Sequence, residues 1–182
     1  MRWGRGIGIV GVVIGVEIVI IAAVGLIVVY GGYYNVAATS KDPAWMDSLL
    51  GAISDHSIEH HAAGIPVSPT FEKPDLEVGY DHYSEMCVMC HGAPGVEAGD
   101  AAQGLNPQPP HLYETVGDLS PSEVFWILKH GIKMTGMPAF GPTHDDEKLW
   151  NIAAFVKKLP GMTPEQYAQM GKAPAMRMKM EQ

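Results

Sequence analysis

Cysteine is nearly absent: among 182 residues only Cys87 and Cys90 occur, both inside "MCVMCHGAPG". A zinc site built from two separated thiol pairs is therefore excluded, because no second pair exists. Charge is just as scarce near the N-terminus, where Glu17 is the single charged side chain in residues 7–30. Basic residues are missing between Arg5 and Lys41, and Lys73 alone stands against fourteen acidic side chains between residues 42 and 123. So acidic a segment argues against nucleic acid as a partner. Residues 75–160 show no strand-like alternation, and no internal repeat is visible.

What the uncharged stretch contains is an apolar run, "IGIVGVVIGVEIVIIAAVGLIVVY". At about 1.5 Å of rise per residue it crosses a bilayer core of roughly 30 Å. A secretory signal has a shorter apolar region followed by a small-residue cleavage site, which Val36 and Ala38 imitate. The length favours a retained anchor. Arg2 and Arg5 precede the run, so the positive-inside rule puts the N-terminus in the cytoplasm and the rest across a bacterial inner membrane, in the periplasm. Gly4, Gly8, Gly11, Gly15, Ala22 and Gly25 recur at steps of three and four, broken by Ile18, as a seam for close helix approach in lipid. Glu17 lies mid-span on another face, where a charge usually meets protein. A helix with two such faces belongs among other subunits.

Five segments follow from these patterns. Residues 1–6 are the cytoplasmic N-terminus and 7–30 the transmembrane anchor. Residues 31–74 are a juxtamembrane segment and tether, with "PVSPTFEKP" extended by its three prolines. Residues 75–160 are a compact domain, and 161–182 are a methionine-rich tail. Within the domain, Leu76, Gly79, Tyr80 and Tyr83 share one face of a predicted helix. Ser120, Pro121 and Glu123 give a capping box at the start of the next clear helix. "DDEKLWNIAAFVKKLPG" is a final amphipathic helix, acidic at its start and with Lys157 and Lys158 near its end. Residues 124–182 carry eight basic and five acidic side chains, so charge is segregated along the chain. The acidic part forms a solvated surface or steers toward a basic partner face.

Cys87, Cys90 and His91 form C-x-x-C-H. A thioredoxin-type redox pair needs a strand-to-helix junction, absent here. The same five letters attach haem c: each thiol adds across a vinyl group, and the adjacent histidine reaches the iron. Export, a helix ending at Cys87 and a loop-rich sequel support that reading. For the opposite face, Met134 and Met137 lie in "GIKMTGMPAFG". Gly136 and Pro138 hold an irregular loop around Met137, whereas Met134 sits nearer a helix end, so Met137 is favoured.

Residues 75–160 resemble a class I c-type cytochrome domain in Cys87, Cys90, His91, the "PHL" at 110–112, the "TGMPAF" at 135–140 and "LWNIAAFVKKL". The resemblance implies an all-α haem domain, and the single C-x-x-C-H implies one haem. In placing that domain on a single N-terminal transmembrane helix, the sequence departs from the soluble family. His91 and Met137 are then the metal ligands. Pro110, with Pro109 as competitor, accepts the Nδ1–H of His91 through its carbonyl. It also implies a crossing of first and last helices where Gly79 and Tyr83 meet Trp150 and Phe155. With both axial positions taken, the iron binds no substrate: the expected role is single-electron transfer through one covalent haem c, not catalysis. The expected partners are subunits of a membrane redox complex and electron donor and acceptor proteins. These would come from a quinol-oxidising complex, a periplasmic dehydrogenase, a terminal oxidase or a photosynthetic centre.

His56, His60 and His61 form H-x3-H-H, and Met176, Met178 and Met180 alternate in "MRMKM". Soft thioethers suit Cu(I), so a periplasmic copper-handling haem protein is the alternative. Interface histidines and a tail that folds onto a partner are the plainer reading.

Overall fold

The computed structural model describes residues 3–172. The first helix, α1 (Trp3–Tyr30), includes the apolar stretch Val10–Tyr30, 21 residues, long and apolar enough to cross a membrane. A Cβ added at Gly11, Gly15 or Gly25 would meet nothing within 4 Å. The chain separates into two units after Ser40.

The second unit is helical throughout, with one isolated bridge between Ala93 and Val96 and no strand among the described residues. Its first helix, α2 (Ala44–Ala62), buries Ile58 and Ala62. Part of the stretch expected as an extended tether is instead α3 (Pro69–Glu72): Pro69 presets the first turn, and the Ser68 side chain accepts from the Thr70 N–H. Phe71 then meets Trp150 edge-on at 5.9 Å, and the Ser122 hydroxyl donates to the Ile65 carbonyl at 2.9 Å. The prolines thus start a turn that packs.

Asp75 starts α4 (Leu76–His82) by accepting from the Glu77 and Val78 N–H groups. The helix widens into a π turn over Tyr83–Cys87 and continues as α5 (Val88–His91), which ends at Gly92 with φ +64°. After α6 (Asp100–Gln103) come α7 (Leu112–Thr115) and a 3-10 turn at Val116–Asp118. The next helix, α8 (Pro121–His130), carries the expected capping box between Ser120 and Glu123.

The organising element is α9 (Asp146–Val156). Its first turn is polar, but every residue from Leu149 to Val156 is buried. Sequence periodicity suggested one apolar face; a helix buried on all sides is the core itself. Lys157, expected to serve the helix end, sends its Nζ instead to the carbonyls of Val116, Gly117 and Leu119 at 3.0, 3.0 and 2.6 Å. There it caps the 3-10 turn.

α4 lies on α9 at Gly79, where an added Cβ would stand 2.5 Å from the Asn151 carbonyl oxygen and 2.6 Å from the Phe155 Cβ. Tyr83 meets Phe155 with ring centroids 5.4 Å apart. Trp150, expected at this crossing, stacks on Phe125 at 4.2 Å instead. It lies one residue before Asn151, and a step of 100° turns its side chain toward α8 and α3.

Residues expected as tail contain a further helix, α10 (Pro164–Met170), with a capping box between Thr163 and Gln166. Tyr167 is buried there against Tyr80, centroids 5.2 Å apart. The burial of one aromatic ring holds this turn to the domain. Met176, Met178 and Met180 lie outside the described residues.

Gly79→Ala is expected to destabilise the domain by about 1–3 kcal/mol, since backbone rather than a flexible side chain occupies the space. Denaturant unfolding of the haem-loaded chain measures this; an unchanged midpoint would show that α4 and α9 can part without cost.

Candidate functional site

The C-x-x-C-H stretch spans the junction of the π turn and α5. Cys87 is buried and Cys90 half-buried, both as free thiols. Burial pushes the Cys87 thiol up to about 12, with Cys90 adding to it. Such a thiol stays protonated in neutral solution.

His91 closes α5. Its Nδ1 lies 2.8 Å from the Pro110 carbonyl oxygen, and a carbonyl only accepts, so Nδ1 carries the proton and Nε2 the lone pair. Burial lowers the His91 pKa, the bond to Pro110 opposes this, and His111 lowers it further. His111 lies along the same backbone: its Nδ1 is 3.3 Å from the His91 carbonyl oxygen. Behind the turn, the Tyr83 hydroxyl donates to the Gly92 carbonyl at 2.6 Å. Burial pushes the Tyr83 phenol far above its ordinary range, with Cys87, Tyr167 and Tyr113 contributing, so it remains a donor. Gly92 leaves no room for a side chain: a Cβ would sit 2.9 Å from the Val96 carbonyl oxygen. Ala93 and Val96 exchange both backbone hydrogen bonds, at 2.9 and 2.8 Å.

The two candidate methionines have different surroundings. Met134 has φ +60° and is 87% exposed. Met137 is partly buried against the cluster that includes Cys87, Phe125 and Leu128. Its loop is held by backbone. The Ile132 N–H donates to the Met137 carbonyl at 3.2 Å, the Phe140 N–H to the Leu128 carbonyl at 2.9 Å, and the Gly141 N–H to the Lys129 carbonyl at 3.0 Å. The Thr135 hydroxyl accepts from the Met137 N–H at 3.1 Å. Gly131, at φ +65°, is pressed so closely that a Cβ would lie 2.7 Å from the Pro138 carbonyl carbon and the Ala139 nitrogen. Two features of this loop carried no sequence expectation: the role of Gly131 as its seat, and the Thr135 side chain as its clip. A glycine directly after a helix is the signal for the first.

The other histidines disperse. His61 stacks on Trp126 at 5.7 Å, and Trp126 lies 5.1 Å from His130. His56 and Glu59 approach to 3.6 Å on an exposed helix face. His82 meets His144 edge-on at 5.3 Å. Among the described residues, no group of three or more His, Cys, Asp or Glu gathers as a metal centre requires.

The family described as cytochrome c oxidase, cbb3-type, subunit III matches residues 74–156. Residues 74–156 are a c-type cytochrome domain. The chain is also similar to a protein of Thauera butanivorans named 1-butanol dehydrogenase (cytochrome c), with 26% identity over 140 residues, 74% of this chain and 19% of that protein. The chain thus spans less than a fifth of that relative's length. A cytochrome c domain implies haem c and electron transfer through it. The residues fit the group: two thiols one helical turn apart, an imidazole whose tautomer frees Nε2, and a thioether held at the core by a backbone-pinned loop.

Tyr83→Phe removes the donor from the buried Gly92 carbonyl and is expected to cost about 1–3 kcal/mol in stability. Thermal unfolding of the haem-loaded cytochrome checks this. An unchanged melting temperature would mean that the Gly92 carbonyl is satisfied without the phenol.

Proposed function

We propose that this chain is a membrane-anchored monohaem cytochrome that passes single electrons on the periplasmic side as a subunit of a larger redox complex. Cys87 and Cys90 carry one covalent haem c, and His91 and Met137 ligate it. The observation that carries the reading is the 2.8 Å bond from His91 Nδ1 to the Pro110 carbonyl. It fixes the ring's orientation and leaves Nε2 as the only ring nitrogen with a lone pair, and it raises ligand basicity. Haem c, when bound, supplies reversible Fe(III)/Fe(II) chemistry. The chain's own contribution would be to hold the two ligands and set the potential. A thioether ligand raises that potential. With His91 and Met137 both holding the iron, no position would remain on it for a substrate, and the chemistry supplied would be electron transfer alone. The name of the Thauera relative supports an alcohol dehydrogenase as the donor. The basic residues Arg2 and Arg5, which precede the apolar stretch Val10–Tyr30, support a cytoplasmic N-terminus.

A pyridine haemochrome assay on the purified chain should report one c-type haem per polypeptide, and Cys87→Ala or Cys90→Ala should make attachment sub-stoichiometric. Met137→Leu is expected to abolish the methionine–iron charge-transfer band and lower the potential, while Met134→Leu leaves both unchanged. A b-type spectrum overturns covalent attachment, and the reverse methionine pattern overturns the ligand assignment.

The anchor is tested in native membranes. The haem domain should resist salt washing, come off only with detergent, and keep the α1 sequence at its N-terminus. A mature N-terminus near Thr39 together with release by salt would make the cytochrome a soluble shuttle.

A further inference from the structure

The first half of α2 shows large apolar side chains to solvent. Trp45 is 64% exposed, Leu49 52%, Leu50 45% and Ile53 56%. Trp45, Leu49 and Ile53 follow at i, i+4 and i+8, and Leu50 widens the stripe; at 1.5 Å per residue it is roughly 13 Å long. The helix's buried residues, Ile58 and Ala62, lie on another side and are spent on the domain itself. A stripe of this kind on an otherwise folded helix marks an interaction surface.

Charge selects its occupant. Between Asp42 and Glu72 the chain has no Lys or Arg, and the helix carries Asp47, Asp55 and Glu59. By the 100° step of a helix, Asp47 borders the stripe beside Leu50, and Glu59 lies six residues beyond Ile53, on the Trp45 side of the stripe. A second copy would bring the same carboxylates face to face. Helices that lie on membranes flank their apolar face with Lys and Arg, and anionic lipid repels this one. We infer that the Trp45–Ile53 face of α2 docks a different protein, one that offers an apolar seat rimmed by lysine or arginine. The inference rests on the subunit reading above and places its docking surface in the periplasmic unit.

The test uses the full haem-loaded chain in native membranes, solubilised gently and resolved by native electrophoresis with haem staining. Leu49→Asp with Ile53→Asp should reduce the haem that co-migrates with the larger complex about tenfold, with an unchanged haem spectrum, because neither residue is in the core. Asp47→Asn with Glu59→Gln should weaken retention severalfold and flatten its salt dependence. A photo-crosslinking residue at position 50 should join α2 to a partner segment containing Lys or Arg. If the double aspartate variant stays in the complex, the docking face is refuted and the subunit reading stands. Crosslinks to lipid, or to a second copy of this chain, also refute it. A wild-type chain that migrates alone refutes both.

Discussion

The close approach of α4 to α9 at Gly79 sets the position of everything after it. With no Cβ at that point, the α4 backbone comes within van der Waals reach of the Asn151 carbonyl and the Phe155 side chain. Asn151 secures the same approach from the other side, its Oδ1 accepting from the Asp75 N–H at 2.9 Å where α4 begins. One helical turn later Tyr83 rests on Phe155 and sends its hydroxyl to Gly92. The helix holding both cysteines is thereby tied to α9 before the cysteines and tied again just after His91. The buried helix acts as the ruler for the C-x-x-C-H turn.

The π turn between those two ties has a physical reason. Ordinary α-helical progression from Leu76 would rotate each residue by 100° about the axis, with no slack. Widening the helix over Tyr83–Cys87 shifts that phase for the residues that follow it, Cys90 and His91. π turns inside helices recur at functional sites because they reorient the side chains that follow. Here those side chains are the second thiol and His91.

Much of this was legible in the sequence, and the illegible parts share a cause. C-x-x-C-H, the "PHL" step and the capping box at Ser120 are local patterns whose meaning is contained in a few adjacent residues. Their geometry appears as hydrogen bonds between those residues or across one short loop. Trp150 was expected beside Tyr83 because the resemblance implied that the first and last helices cross through a small residue and aromatics. The side it faces depends on a phase of one residue, which composition does not resolve. α10 was missed although Thr163, Pro164 and Gln166 repeat the pattern at Ser120, Pro121 and Glu123. Its apolar face is short, Tyr167 and Met170, too little for periodicity to register, and its packing partners Tyr80 and Phe155 are distant in the chain. Lys157 is similar: nothing in its own helix announces three carbonyls some forty residues earlier. Long-range partners decide these cases, and a sequence read in windows does not display them.

The two halves of the proposed haem site are held by different means, and ligand chemistry explains the difference. Imidazole is a strong ligand, and His91 sits at the end of a helix with its ring oriented by one carbonyl bond. A thioether is neutral and a weaker donor, so any freedom in its loop would subtract directly from ligation. The Met137 loop has little freedom: it is sewn by backbone to Leu128 and Lys129 of α8 and to Ile132 just beyond it, and Gly131 lets the two segments of chain touch. The Thr135 hydroxyl also accepts from the Met137 N–H. Met134, three residues earlier, has none of these restraints and is directed to solvent. The proposal of Met137 over Met134 as ligand therefore rests on the backbone hydrogen bonds of the loop, since the side chains are chemically the same.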